Sequence, residues 1–207
     1  MLFLVSKKPM KKQSQILRRT LVVLLLFYYS SVTDAQEYSL DPGHTLIEFN
    51  VERFMVGEVT GKFREYEGKV SINNEGFLEK ASVTIKAASL DTDHEVRDGH
   101  LRSAIWLDAE KYTELSFVST NVRQEGDELW VDGDLTIKDQ TNTVSFPFEL
   151  KGPFKDPTGV TTVGLTGDLA INRQDYGITF SRLMDNGELF IGNEVKIRIR
   201  ALAMQIP

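Results

Sequence analysis

From Tyr38 onward the chain alternates apolar and polar residues with a period of two. Ile47, Phe49 and Val51 interleave with Glu48, Asn50 and Glu52, and the same beat returns in Ala81 to Ile85, Leu129 to Ile137, Val144 to Leu150, Val163 to Ile171 and Val195 to Ala203. Successive side chains of a strand point to opposite faces, so this beat describes strands with one face on an interior and the other in water. Turn formers separate the strands: Asn73 to Gly76, Gln124 to Asp127, Asp139 to Asn142, Asp156 to Gly159 and Asn186-Gly187. Seven to nine antiparallel strands with short connections and almost no helical period predict an all-β barrel or sandwich.

Two stretches interrupt the rhythm. Residues 91–102 are polar and predict a short helix with Val96 and Leu101 inward; residues 172–193 are rich in turn formers and predict a second excursion. Gly61, Gly133 and Gly167 fall inside strand patterns, where glycine marks a bend, a bulge or room left for a ligand.

Residues 1–35 read as an address label. Lys7, Lys8, Lys11, Lys12, Arg18 and Arg19 form a basic leader, Thr20 to Tyr29 a short apolar run, and Thr33-Asp34-Ala35 a small-residue cleavage site. A start at Met10 gives a more ordinary leader of the same kind. The apolar run is shorter than the roughly 20 residues that span a bilayer. The expectation is therefore a signal peptide cleaved near Ala35, a domain over residues 36–207, and a periplasmic or secreted location without stable membrane insertion. Removing six Lys or Arg and one Asp from totals of 24 basic and 30 acidic residues leaves 18 and 29, a net charge near −11. Such a surplus of acid repels nucleic acid backbones and anionic headgroups, so a ligand is expected inside rather than on a charged face. There is no cysteine, which removes disulfides, thiolate metal sites and cysteine catalysis.

The densest chemistry lies between Asp91 and His100, where Asp91, Asp93, His94, Glu95, Asp98 and His100 crowd ten positions. A hydrolase needs a nucleophile beside a base and an orienting acid, but no Gly-x-Ser-x-Gly elbow is present and Ser103 comes from the same stretch. Neither a His-Glu-x-x-His spacing nor a calcium-loop pattern is met. The cluster is read as a structural clasp: Ser89 and Asp91 suit a helix start, Arg97 and Asp98 can pair, and Leu101, Ile105 and Trp106 can plug the inner side. A periplasmic metal-binding protein or hydrolase using the Asp91–His100 cluster is the alternative. No catalytic residue, metal or cofactor is assigned.

Six segments in order resemble a known family: Leu40-Asp41-Pro42-Gly43-His44-Thr45, Val59-Thr60-Gly61-Lys62-Phe63, Ala88-Ser89-Leu90-Asp91-Thr92, Arg97-Asp98-Gly99-His100-Leu101-Arg102, Gly133-Asp134-Leu135-Thr136-Ile137 and Asn172-Arg173-Gln174-Asp175-Tyr176-Gly177-Ile178. Over about 140 residues they follow the YceI-like, polyisoprenoid-binding proteins. The resemblance implies an eight-stranded antiparallel, lipocalin-like barrel with one or two short helical excursions, whose hydrophobic pocket holds an isoprenoid or other long-chain lipid. It implies a carrier or sequestering protein rather than an enzyme. An eight-stranded barrel is either filled by side chains or holds one small ligand. The inward set that would wall such a pocket is Phe49, Val51, Phe63, Val83, Ile85, Phe117, Leu135 and Phe146. At Phe117-Val118 both faces are apolar, and the inward member is not fixed by the pattern.

The chain departs from the family pattern at Glu52-Arg53-Phe54-Met55, where many relatives carry a histidine in place of Arg53. An always-charged guanidinium there either meets a phosphate or carboxylate head or pairs with a neighbouring Glu. Arg53, Arg97, Asp98 and His100 are the expected residues of the ligand head or pocket mouth. The partner expected is a lipid and not a nucleic acid; the oligomeric state is open, a homodimer included.

Overall fold

The computed structural model describes residues 35–206; the expected leader lies outside them apart from Ala35. Eleven strand segments form one closed sheet in which every pairing is antiparallel. β1 (Gln36–Leu40) and β2 (Leu46–Arg53) both lie along β11 (Ile191–Gln205) and act as one interrupted stave. β3 (Gly57–Phe63) and β4 (Tyr66–Ile72) make the second stave, and β5 (Leu78–Lys86) with the short β6 (Leu90–Asp91) the third. β7 (Glu114–Glu125), β8 (Glu128–Ile137), β9 (Gln140–Lys155) and β10 (Thr161–Asn172) follow as a meander, and β11 returns to β1 and closes an eight-stave barrel. Closure pairs what would otherwise be two open edges.

The alternation becomes the two surfaces of this barrel. Ile47, Val131, Phe146, Phe148 and Ile171 are buried. Phe117, opposite Leu135 in the β7–β8 register, faces inward, whereas Val118 is 52% exposed. Apolar side chains gather at two levels, one around Tyr38, Ile72, Phe148 and Val163, the other around Leu115, Ile137, Ile171, Tyr176 and Ile178.

The inward glycines make room for rings. A Cβ on Gly61 would lie 2.3 Å from Cζ of Phe49, its cross-strand partner, and one on Gly133 would lie 2.4 Å from Cε2 of Phe117. Gly167 is looser, with Phe146 Cε2 at 3.1 Å. The rings thus lie back against the wall where a methyl is missing. A register shift at Ser119/Asn121 also bulges β7 beside Gly133.

Both interruptions sit at one end of the barrel. The first holds α1 (Glu95–Arg102), and the second opens with a 3-10 turn over Arg173–Tyr176. The β8–β9 turn comes earlier than its sequence suggests: Lys138 and Asp139 make it, Lys138 at φ 59°, and Thr141 and Asn142 already pair with Thr136 and Leu135.

Candidate functional site

The barrel encloses a cavity of about 240 Å³ between the two apolar levels. A single water needs only about 10–15 Å³ by a comparable measure, so this is a chamber rather than a packing defect. All eight residues of the expected inward set line it, joined by Leu101, Trp106 and Leu107 from the first excursion and Ile178 from the second. Phe49 and Phe63 meet at 5.8 Å between ring centres, and Phe117 and Phe146 at 5.7 Å. Such a wall offers burial and almost no hydrogen bonds, which suits a hydrocarbon chain.

The excursion around α1 is held by Thr92. The Asp98 carboxylate, 6% exposed, accepts from Thr92 N at 2.9 Å and from the Thr92 hydroxyl, while Arg97 Nε donates to Thr92 Oγ1 and Nη2 to Thr92 O, both at 2.7 Å. Arg97 and Asp98 are therefore not paired with each other; both grip the residue that follows β6. The helix starts at His94, whose Nδ1 accepts from Arg97 N at 3.3 Å, rather than at Ser89 or Asp91. Val96 and Ile105, expected inward, are 64% and 60% exposed. An eight-residue helix has one inner side, and here the Thr92 donors fill it with Asp98. The His100 ring is exposed, and it is the His100 carbonyl that accepts, from Ser103 N and Oγ.

Two further acids of the cluster have structural partners. Asp91 accepts from Asp93 N and Arg64 Nε, which hold its carboxyl below the usual range, the backbone hydrogen bond contributing most. Asp93 lies 3.8 Å from Lys62. Among the described residues no group of three or more His, Cys, Asp or Glu is placed to hold a metal.

Arg53 packs its guanidinium on Phe54 at 4.5 Å and Phe190 at 5.3 Å, and its buried Nε has no hydrogen-bond partner among the described residues. Among the described residues no carboxylate lies within ion-pair distance of it, so the pairing with a neighbouring Glu open in the sequence is not formed. Cross-strand pairing of Arg53 with Ile191, a cavity-lining residue, places it at the rim of the chamber.

The basic residue of the lining was missed by sequence reasoning. Arg173 is 3% exposed and lines the chamber beneath the second excursion. The local sequence makes this possible: Asn172 caps the 3-10 turn by accepting from Gln174 N, and Gly177 leaves it at φ 71°, a conformation costly for other residues. Tyr176 and Ile178 are then buried on the same side as Arg173. The signal available was the Asn-Arg-x-x-Tyr-Gly-Ile string itself.

A family model described as a YceI-like domain matches residues 38–203. A UPF0312 protein of Staphylococcus aureus is 36% identical over 169 residues, covering 79% of this chain and 95% of that protein. A UPF0312 protein of Photorhabdus laumondii is 39% identical over 145 residues, covering 69% and 76%. Among solved structures, BcnA of Burkholderia cenocepacia superposes with a TM-score of 0.67 at 23% identity, over 79% of this chain and 98% of that one. A domain of Saccharophagus degradans, described as polyisoprenoid-binding, gives 0.61 at 16% identity, over 82% and 98%.

Proposed function

This chain belongs to the YceI-like family, and we propose that it is an exported carrier that sequesters one long-chain isoprenoid or related amphiphile inside its barrel, without turning it over. The observation that carries the reading is the chamber of about 240 Å³ with its aromatic and aliphatic wall. A prenyl or acyl chain needs only burial there, each CH₂ contributing about 0.8 kcal/mol. The polyisoprenoid-binding description of the Saccharophagus domain supports the choice of chain. The basic leader and short apolar run of residues 1–35 support export.

The head belongs at the end that carries both excursions, where Arg53 stands at the rim and the Thr92, Arg97 and Asp98 network fixes the first excursion. Titration of a long-chain prenyl ligand against wild type, Phe63→Leu and Ile85→Val tests the reading. Saturable one-to-one binding, weakened by both substitutions in a folded barrel, is expected. Absence of binding by the folded wild type, or binding indifferent to both substitutions, contradicts it.

A further inference from the structure

Arg173 is a buried cation without an anion. Its Nε donates to Gly192 O at 2.9 Å, Nη1 to Ile178 O at 2.6 Å, and Nη2 to Asn193 Oδ1 at 2.9 Å and more weakly to Ile191 O at 3.5 Å. A guanidinium has five N–H donors, so one Nη1–H is left over. All of these acceptors are neutral, and among the described residues no carboxylate forms an ion pair with it. The Trp106 ring lies 5.6 Å from the guanidinium and covers it further.

The nearby acids do not neutralise it. Asp175 and Glu194 are exposed. Glu48 borders the chamber but belongs to the outward set of β2, paired in register with Arg198 and Lys62. Arg173 is thus the one basic residue on the lining, in a chain with more acids than bases, and because the chamber wall shows no polar surface a head group reaches its guanidinium only by moving a covering side chain aside. Holding an unpaired charge away from water is costly, and desolvation already pushes its pKa below the ordinary arginine value.

We propose that Arg173 is the head-group selector of the chamber: it takes an amphiphile whose head is an oxyanion, phosphate or carboxylate, and discriminates against the same chain ending in a neutral alcohol. The inference rests on the carrier reading above and adds the chemical class of the ligand's head. An oxyanion supplies the missing countercharge and accepts the spare N–H in a charge-assisted bond, while a hydroxyl supplies only a neutral acceptor.

The test compares two matched pairs on the folded protein, farnesyl phosphate against farnesol and hexadecanoate against hexadecanol, by calorimetric titration of wild type and Arg173→Gln. Wild type is expected to bind the anionic member of at least one pair about tenfold or more tightly than its alcohol. Arg173→Gln is expected to lose that preference, read as the ratio of the two affinities within each pair. If Arg173→Gln does not fold, the Nε–H resonance of Arg173 in wild type, labelled with ¹⁵N-arginine, decides: it shifts with the anionic ligand and stays with the alcohol. Equal affinity for acid and alcohol in both pairs, a preference retained in Arg173→Gln, or an unmoved Nε–H overturns the head-group inference and leaves the chamber intact as a chain site. Failure of all four ligands to bind overturns the carrier reading as well.

Discussion

Adding one methyl group at Gly61 should close part of the chamber. The Cβ of Gly61→Ala would stand 2.3 Å from Phe49 Cζ, 2.6 Å from Phe49 Cε1 and 2.8 Å from Thr92 Cγ2, all closer than packed atoms tolerate. The Phe49 ring has to swing off the wall, and the open direction is the cavity it lines. Overpacking of this kind costs about 1–3 kcal/mol, offset by the roughly 0.4–1 kcal/mol that replacing a glycine at an ordinary φ returns through the unfolded chain. The folded barrel therefore survives. A displaced ring that takes the place of two or three CH₂ groups of the ligand, at about 0.8 kcal/mol each, weakens binding by about 15- to 60-fold. Urea denaturation and a prenyl-ligand titration on Gly61→Ala, Phe49→Leu and the double variant measure both quantities. Because the double variant removes the ring that the methyl displaces, it should recover stability and affinity relative to Gly61→Ala alone. Wild-type affinity in folded Gly61→Ala, or no coupling in the cycle, would refute the assignment of the Phe49 ring to the chamber wall.

Asp98→Ala strands the amide and hydroxyl of Thr92 in a buried clasp and should lower stability by about 1–3 kcal/mol, with Asp98→Asn costing less; a midpoint unchanged in urea contradicts the clasp. Val83→Asp places a carboxylate on the apolar wall, and either the barrel unfolds or the bound chain is expelled; circular dichroism and titration read the two outcomes, and a folded variant that binds normally contradicts the inward assignment. The carboxyls of Asp41, Asp91 and Asp132 are held below their ordinary 3.8, chiefly by the His44 side chain, the Asp93 amide and the Ser145 hydroxyl respectively. Depressed folded-state values mean a contribution complete above the unfolded value and lost as pH falls below it, so the denaturation midpoint should drop below about pH 4, and Asp132→Asn should flatten that drop. The leader hypothesis calls for mature protein that begins at Gln36, and N-terminal sequencing of an intact leader on membrane-bound product contradicts it.

The barrel was legible because its strands are apolar on one face only. The inward positions of Phe49, Val83, Leu135 and Phe146 could be counted off at every second residue, and the sheet closed on the same set. Phe117 and Val118 were ambiguous because neighbours of similar polarity carry no phase; register opposite Leu135 supplied it. Around α1 the rule that apolar residues face inward failed, since Thr92 presents a buried amide and hydroxyl that only an acceptor satisfies, so Asp98 turns in and Val96 turns out. The turn at Lys138 and Asp139 was displaced because Asn142, a turn former by type, faces β8 across the ladder opposite Leu135. Arg173 was hidden for a different reason: its burial depends on carbonyls at Ile178, Ile191 and Gly192, which lie up to 19 positions away and come together only when the second excursion folds back.

Native mass spectrometry of the folded protein, offered one equivalent of a long-chain prenyl ligand, tests the central claim most directly. The carrier reading predicts a folded charge-state envelope displaced by the mass of one ligand, retained through gentle activation and released when the barrel is denatured. A folded envelope at the bare protein mass, with no ligand taken up at any concentration that keeps the lipid monomeric, would contradict it.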